Sequence, residues 1–209
     1  MPEAPAPTQG SASRMSGSWL ARPWAAFATG FLAVWPAMLA GSWLQQVIQL
    51  SPRSLPASFL YVALPEEIVK FLLALILFRL LRSPAALVGL GFGISETIFL
   101  VSHSNWPIRL LSSVPLHTGT TALAGIGISL LFSTKGNKPE SSIKLVRRIM
   151  LTLSLLAGSI SLHWLYNLSV QNNSPLYWVL AWLAPLLWLS LSGAIALDSK
   201  TGQVTQPAP

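Results

Sequence analysis

Apolar residues along this chain fall into long runs that are separated by short polar connections. A run of roughly 20 apolar residues is long enough to cross a bilayer. Because lipid offers no hydrogen-bond partner to exposed backbone groups, such runs are expected to be helical. The pattern therefore predicts an all-α, polytopic membrane helix bundle of about six transmembrane helices. The predicted spans lie near Trp24–Leu50, Ala57–Leu81, Ala85–Val101, Ile108–Phe132, Leu145–Val170 and Leu176–Leu197.

Both ends of the chain lack this pattern. Residues 1–18 are rich in Pro, Ala, Ser and Gly, a composition typical of disordered segments. Residues 198–209 are polar. We therefore predict two disordered tails that flank one transmembrane domain over residues 19–197.

The composition argues against a water-soluble domain. Charged residues make up 9% of the chain, against roughly 25% in soluble domains, and 52% of the residues are hydrophobic. The chain has no cysteine, which excludes disulfides and cysteine-based metal sites. Its net charge of +7 is spread between the apolar runs, with no basic patch that contains interleaved aromatic residues. We therefore attribute the charge to membrane topology and predict no nucleic-acid partner.

Basic residues are distributed unequally between the two sides of the predicted bundle. In membrane proteins such residues collect on the cytoplasmic side. Only Arg53 and Arg109 fall on one side, and ten basic residues fall on the other. This asymmetry predicts that both termini are cytoplasmic. The ten are Arg14, Arg22, Arg79, Arg82, Lys135, Lys138, Lys144, Arg147, Arg148 and Lys200.

A small set of ionisable residues lies inside the predicted spans. A charged side chain at membrane depth costs roughly 3 kcal/mol or more, so these residues need partners, and the natural partners are one another. Counted from the span ends, the acidic residues and histidines all fall in the outer half of the bilayer. The sequence therefore predicts one shared polar site on the extracytoplasmic side. Its members are Glu66, Glu67, Lys70, Glu96, His117 and His163.

Local spacing refines this prediction. Lys70 follows Glu66 by four residues and Glu67 by three, so either glutamate can pair with it on one helix face and leave the other carboxylate free. His163 and Asn167 are also four residues apart and share a face.

Simpler interpretations exist for several of these residues. Pro65 followed by two acids is an ordinary helix start, although this does not account for Glu96 or the intramembrane histidines. His117 has a threonine, Thr120 or Thr121, within reach on its own helix. His103 is interpreted as a solvated loop histidine. The glycines Gly89, Gly93, Gly119, Gly125 and Gly127 are interpreted as close helix-packing positions.

Two motifs resemble those of a known family. The stretch EEIVK at residues 66–70 resembles the EExxK motif of PrsW-type intramembrane proteases, and FGISE at residues 92–96 resembles their FxxxE motif. His117 and His163 stand where further motif histidines are expected. His163 with Asn167 is similar to the HxxxN element of CAAX-processing and bacteriocin-processing proteases, although the EExxxR motif of those enzymes is absent.

The resemblance implies an endopeptidase embedded in a plasma membrane of prokaryotic type. Its substrates are expected to be membrane-anchored proteins, cut on the extracytoplasmic side as site-1 proteases cut anti-sigma factors. The lipid bilayer itself is the other expected partner.

Peptide hydrolysis needs an activated water and stabilisation of an oxyanion. We expect Glu66 to be the base, with Glu67 and Lys70 as orienting partners, and the roles of the two glutamates are exchangeable. The histidines polarise the carbonyl or hold the water, and Asn167 donates to the oxyanion. The same groups are also suitable zinc ligands, so the sequence leaves open a glutamate protease without metal and a zinc-type metalloprotease. The candidate ligands are Glu66, Glu67, Glu96, His117 and His163.

Two non-protease functions remain as alternatives. Intramembrane Glu, Lys and His residues relay protons in carriers, although this chain shows no internal inverted repeat. A non-catalytic membrane scaffold would use the same polar cluster only to hold its helices together.

The charge asymmetry makes the topology testable. A reporter fused after Gln171 should lie outside the cell, and one fused after Lys138 should lie in the cytoplasm, because the basic connection stays on the inner side. Compartment-specific reporter activity measures both positions. The reverse pattern would place the polar layer on the cytoplasmic side and contradict the predicted orientation.

Overall fold

The computed structural model describes residues 18–51, 54–82, 84–100, 106–132 and 141–204. Regular structure in these ranges is entirely helical. A single π-helical turn, Phe59–Ala63, joins the third helix to the fourth. The α-helices are α1 (Ser18–Leu32), α2 (Val34–Ile48), α3 (Leu55–Ser58), α4 (Leu64–Leu81), α5 (Ala85–Leu100), α6 (Trp106–Leu131), α7 (Ser142–Gln171) and α8 (Leu176–Val204).

The predicted membrane bundle is confirmed as an all-helical architecture. Within the described ranges, four helical stretches are long and apolar enough to cross a membrane: Ala21–Ile48, Trp106–Leu131, Ser142–Gln171 and Leu176–Ala196. The other two predicted spans are also helical, but α5 is shorter and α4 contains three charged residues near its start. The count of six spans and the orientation of the termini remain predictions.

Helix α6 forms the centre of the bundle. In its most apolar stretch 61% of the residues are buried, against 17% in α7 and in α8. It packs against α5, α7, α8 and α4, while α1 covers the other side of α5. Polar groups on α6 are therefore shielded by protein on several sides.

Two prolines interrupt the first two predicted spans. Pro36 has no N–H for the carbonyl of Leu32, and the chain bends at Ala33 between α1 and α2. Pro65 lies directly after the π-helical turn, in which Leu64 N–H bonds the carbonyl of Phe59. Such turns are frequent at functional sites. The helix-start interpretation of Pro65 is therefore only half right, because helical structure already begins at Leu55.

The structure describes only part of the two predicted tails. Residues 1–17 lie outside the described part of the chain, and α1 begins at Ser18. Helix α8 continues to Val204, beyond the predicted boundary at Leu197. The first polar residues after the apolar run thus extend the helix.

Several glycines permit contacts that no larger residue would allow. A Cβ atom on Gly119 would lie 2.3 Å from the backbone nitrogen of Pro185 in α8, and one on Gly89 would lie 2.1 Å from the carbonyl oxygen of His117. These approaches favour the packing interpretation of the glycines. They also set how closely α5 and α8 approach the polar part of α6.

Gly119→Ala should destabilise the bundle, because the added methyl group collides with rigid backbone. We expect a loss of about 1–3 kcal/mol in folding stability, typical of overpacking, measured as a lower melting temperature in detergent. The matched control is Gly158→Ala, since a Cβ there meets nothing within 4 Å. Equal melting temperatures for both variants would contradict the observed α6–α8 contact.

Candidate active site

Buried polar side chains from four helices meet in one half of the bundle. They come from the start of α4, the last turns of α5, the first half of α6 and the second half of α7. The structure brings together Glu66, Glu67, Lys70, Glu96, His117 and His163, and it places Asn167 on the wall of an adjoining cavity.

Glu67 is the central acceptor of this cluster. Its carboxylate is buried, and its Oε1 lies 2.5 Å from Lys70 Nζ and 2.9 Å from His163 Nδ1. Thr120 donates its hydroxyl to the same oxygen at 3.1 Å. Three donors on one oxygen hold the carboxylate and the His163 ring in one orientation. This arrangement favours an orienting role for Glu67.

Lys70 places a positive charge in the interior of the bundle, where its side chain has no solvent exposure. Besides Glu67, its Nζ lies 2.8 Å from His117 Nδ1 and 4.8 Å from the centroid of the Phe92 ring. Two of its three N–H donors therefore have acceptors, and the ring face adds a cation–π contact. The charge is thus compensated by two elements, α4 and α6, and by an aromatic face of α5.

The bond from Lys70 determines the tautomer of His117. Because an ammonium group can only donate, His117 Nδ1 accepts, and Nε2 therefore carries the hydrogen. Nε2 donates to Glu96 Oε2 at 2.8 Å, and the Ser113 hydroxyl donates to the same carboxylate oxygen. The other oxygen, Oε1, lies 3.6 Å from a guanidinium nitrogen of Arg109. The interpretation of His117 as bonded to a threonine is therefore wrong for its ring.

The opposite tautomer follows for His163. Its Nδ1 hydrogen is donated to Glu67, so Nε2 presents a lone pair. That lone pair lies 3.6 Å from Glu66 Oε2, a buried oxygen that has no hydrogen-bond partner among the described residues. When both groups are deprotonated, two acceptors face each other. A positively charged or hydrogen-donating group placed between them would remove the conflict.

The facing atoms of Glu66 and His163 suit a divalent cation as ligands. Two ligand atoms of a tetrahedral zinc ion, each at about 2.1 Å, lie about 3.4 Å apart, close to the observed separation of Glu66 Oε2 and His163 Nε2. Ligand atoms of Glu66, His117 and His163 all lie within 4.8 Å of one another. Both ring nitrogens of His117 are engaged, so it can bind a cation only after one of these contacts is released. The remaining predicted ligands, Glu67 and Glu96, instead accept hydrogen bonds from the two imidazole rings.

A cavity of about 410 Å³ adjoins the cluster. Its size lies in the range of ligand-binding pockets. Glu96 of α5 and Arg109 of α6 line it, and Tyr166, Asn167 and Gln171 contribute from α7. The side-chain nitrogen of Asn167 is buried and has no hydrogen-bond partner among the described residues. A donor without a partner next to a cavity is available to a bound ligand.

Sequence reasoning did not identify several neighbours of the cluster. Ser113 and Tyr166 carry hydroxyl groups, which are common in apolar helices and give no distinguishing signal, and Thr120 is expected beside His117 but not as a donor to Glu67. Arg109 was counted only as a topological charge. His103 lies outside the described residues, so its predicted loop position remains a prediction.

Comparison with known families identifies the chain. Residues 19–191 match the family model described as PrsW family intramembrane metalloprotease. The chain belongs to this family. The PrsW-family protein is therefore an intramembrane protease, and the polar cluster is its candidate active site. The chain matches no curated protein and no solved structure.

The assignment confirms the resemblance that the EEIVK and FGISE motifs predicted. The wider likeness to CAAX-processing proteases remains a prediction. A family of metalloproteases also agrees with the ligand types offered by Glu66, His117 and His163.

Lys70→Met should destabilise the PrsW-family protein, because it leaves the buried Glu67 carboxylate without its counter-charge. Breaking a buried ion pair costs about 3–5 kcal/mol, so we expect low yield and a lower melting temperature in detergent. Lys144→Met, at an exposed position in α7, is the matched control.

The double variant Glu67→Gln/Lys70→Met should regain part of this stability, since neither charge is then left unpaired. A Lys70→Met protein as stable as the parent would show that Lys70 is not the required counter-charge.

Proposed function

We propose that this protein is an endopeptidase that cuts membrane-anchored protein substrates at the Glu66–His163 pair. The observation that carries the proposal is the close approach of Glu66 Oε2 and His163 Nε2, 3.6 Å apart and one helical turn from Val62 and Asn167, which line the cavity. Two such lone pairs are unfavourable together unless a proton or a cation lies between them.

A divalent cation such as zinc is the group that best suits this pair. Glu66 and His163 would hold it as they stand, and His117 would join them after it releases one of its contacts. When bound, such an ion makes a water ligand more acidic and polarises the carbonyl of the scissile bond.

Glu67 and Lys70 act as positioning residues in this proposal. Glu67 keeps the His163 lone pair directed at Glu66, and Lys70 keeps Glu67 charged and in place. Partners of this kind fix ring orientation and tautomer at metal sites, and their loss typically costs 10–100-fold in affinity or activity.

Glu96 is the carboxylate that reaches the cavity, and it is the candidate carrier of protons. It is hydrogen-bonded to His117, which is bonded in turn to Lys70. In peptide hydrolysis a base must take a proton from water, and an acid must return one to the leaving amine.

A protease without metal would use the same residues differently. Among the described residues no donor bonds Glu66 Oε2, so Glu66 would take the proton from water itself, as the sequence suggested. The metal content of the active protein distinguishes the metal-dependent from the metal-free mechanism. In both, Asn167 would donate to the oxyanion, a role supported by its unpartnered side-chain nitrogen next to the cavity.

The family assignment supports a protease over a proton-coupled carrier or an inert scaffold. The predicted topology places the cluster in the outer membrane half, which supports cleavage on the extracytoplasmic side. A site-1-type role on anti-sigma-factor-like substrates rests on the family resemblance.

Glu66→Gln should give folded but inactive protein, because the amide keeps the shape of the side chain and removes its charge. We expect proteolysis of a membrane-anchored substrate to fall at least about 100-fold. Glu140→Gln is the matched control for the loss of one carboxylate and should leave the rate unchanged. Rates are measured on purified protein in detergent or liposomes.

Metal analysis of the same preparations separates the two versions. Under the cation version, the parent protein retains about one divalent metal per chain, and Glu66→Gln retains less. A metal-free but active parent protein would favour Glu66 as the base. Full proteolysis by both Glu66→Gln and Glu67→Gln would contradict the metal-dependent and the metal-free mechanism alike.

A further inference from the structure

The wall of the cavity has one cationic side chain among the residues the structure describes, Arg109. Its only polar partner in the described part of the chain is Glu96, and their closest atoms are 3.6 Å apart, longer than a hydrogen bond. A guanidinium group has five N–H donors in a planar fork suited to carboxylates. Its 27% exposed side chain is therefore charged and partly accessible, and it has more donors than the acceptors that the described residues supply.

The rest of the cavity wall on α7 is neutral and polar. Asn167 and Gln171 are four residues apart, so their backbone positions are about 6 Å apart along the helix axis. Alternate residues of an extended peptide repeat at about 6.6–6.8 Å. Two side-chain amides at this spacing match the backbone groups of an extended segment. Val62 and Val170 add apolar surface for its side chains.

We propose that Arg109 is a specificity-determining residue that selects substrates with an acidic side chain close to the cleaved bond. The inference rests on the proposed function, because it assigns the cavity to the substrate. In the free protein Glu96 occupies one edge of the guanidinium. A substrate carboxylate uses the remaining donors, while the amides of α7 hold the peptide backbone.

A simpler role for Arg109 is to position Glu96. That role predicts the same loss for every substrate, whereas recognition of a carboxylate predicts a loss confined to acidic substrates. Comparing matched acidic and neutral substrates therefore distinguishes the two roles.

The test uses membrane-anchored substrates with a neutral extracytoplasmic segment that the parent protein cleaves. Glutamate, or glutamine in matched controls, is placed at each of four positions on either side of the cleaved bond. At one or two positions, glutamate should raise kcat/KM about 10-fold through a lower KM, typical of one added charged hydrogen bond. Arg109→Gln should abolish this preference, and Arg109→Lys should keep part of it.

Binding provides a readout that does not depend on turnover. The inactive Glu66→Gln protein should bind the preferred glutamate peptide about 10-fold more tightly than its glutamine match, and adding Arg109→Gln should remove the difference. Arg79→Gln, which changes an exposed arginine in the last turn of α4, is the control and should leave the preference intact.

Each outcome bears on a different proposal. No preference for glutamate by an active parent protein overturns the inference even if Arg109 variants fail to fold. An equal loss on all substrates in Arg109→Gln also overturns it and leaves Arg109 as a positioning residue for Glu96. Absence of cleavage of any substrate by the parent protein would instead contradict the proposed function.

Discussion

The buried ammonium group of Lys70 is the constraint on which the site depends. A charge inside a membrane bundle is tolerated only when its neighbours compensate it fully. Glu67, His117 and the face of Phe92 do so, and they bring α4, α5 and α6 together around one atom. The same atom determines the protonation pattern of the cluster, because a group that can only donate dictates which of its neighbours must accept.

That pattern has a direct chemical consequence. In one direction, Lys70 donates a hydrogen bond to His117, and His117 donates one to Glu96. In the other direction, Glu67 accepts a hydrogen bond from His163 Nδ1, so Nε2 of His163 faces Glu66 with a lone pair. The stable ion pair and the unsatisfied acceptor pair thus belong to one network. Glu67 and Lys70 form the buried ion pair, whereas the proposed chemistry occurs at Glu66 and on the cavity side of Glu96.

Packing of small residues makes this network possible. Gly89 lets α5 approach the backbone of His117, and Gly119, two residues further along α6, lets α8 approach α6. These contacts exclude lipid and strengthen the electrostatic interactions inside. The π-helical turn before Pro65 adds a further constraint, since it precedes the two glutamates directly and sets the point where α4 begins. Backbone irregularity is tolerated at membrane depth when protein surrounds it.

The sequence by itself determined the helical class, the polar layer and the family motifs. Apolar run length sets where helices cross lipid, and the cost of burying charge requires Glu66, Lys70 and Glu96 to find partners. It could not decide which glutamate pairs with Lys70, because the spacings i,i+3 and i,i+4 are both compatible with pairing. Only the tertiary structure resolved this choice, since His163 of α7 and Thr120 of α6 converge on Glu67, whereas Glu66 Oε2 has no hydrogen-bond partner in the described part of the chain. The hydrogen-bond partners come from distant segments, and their arrangement depends on how whole helices pack.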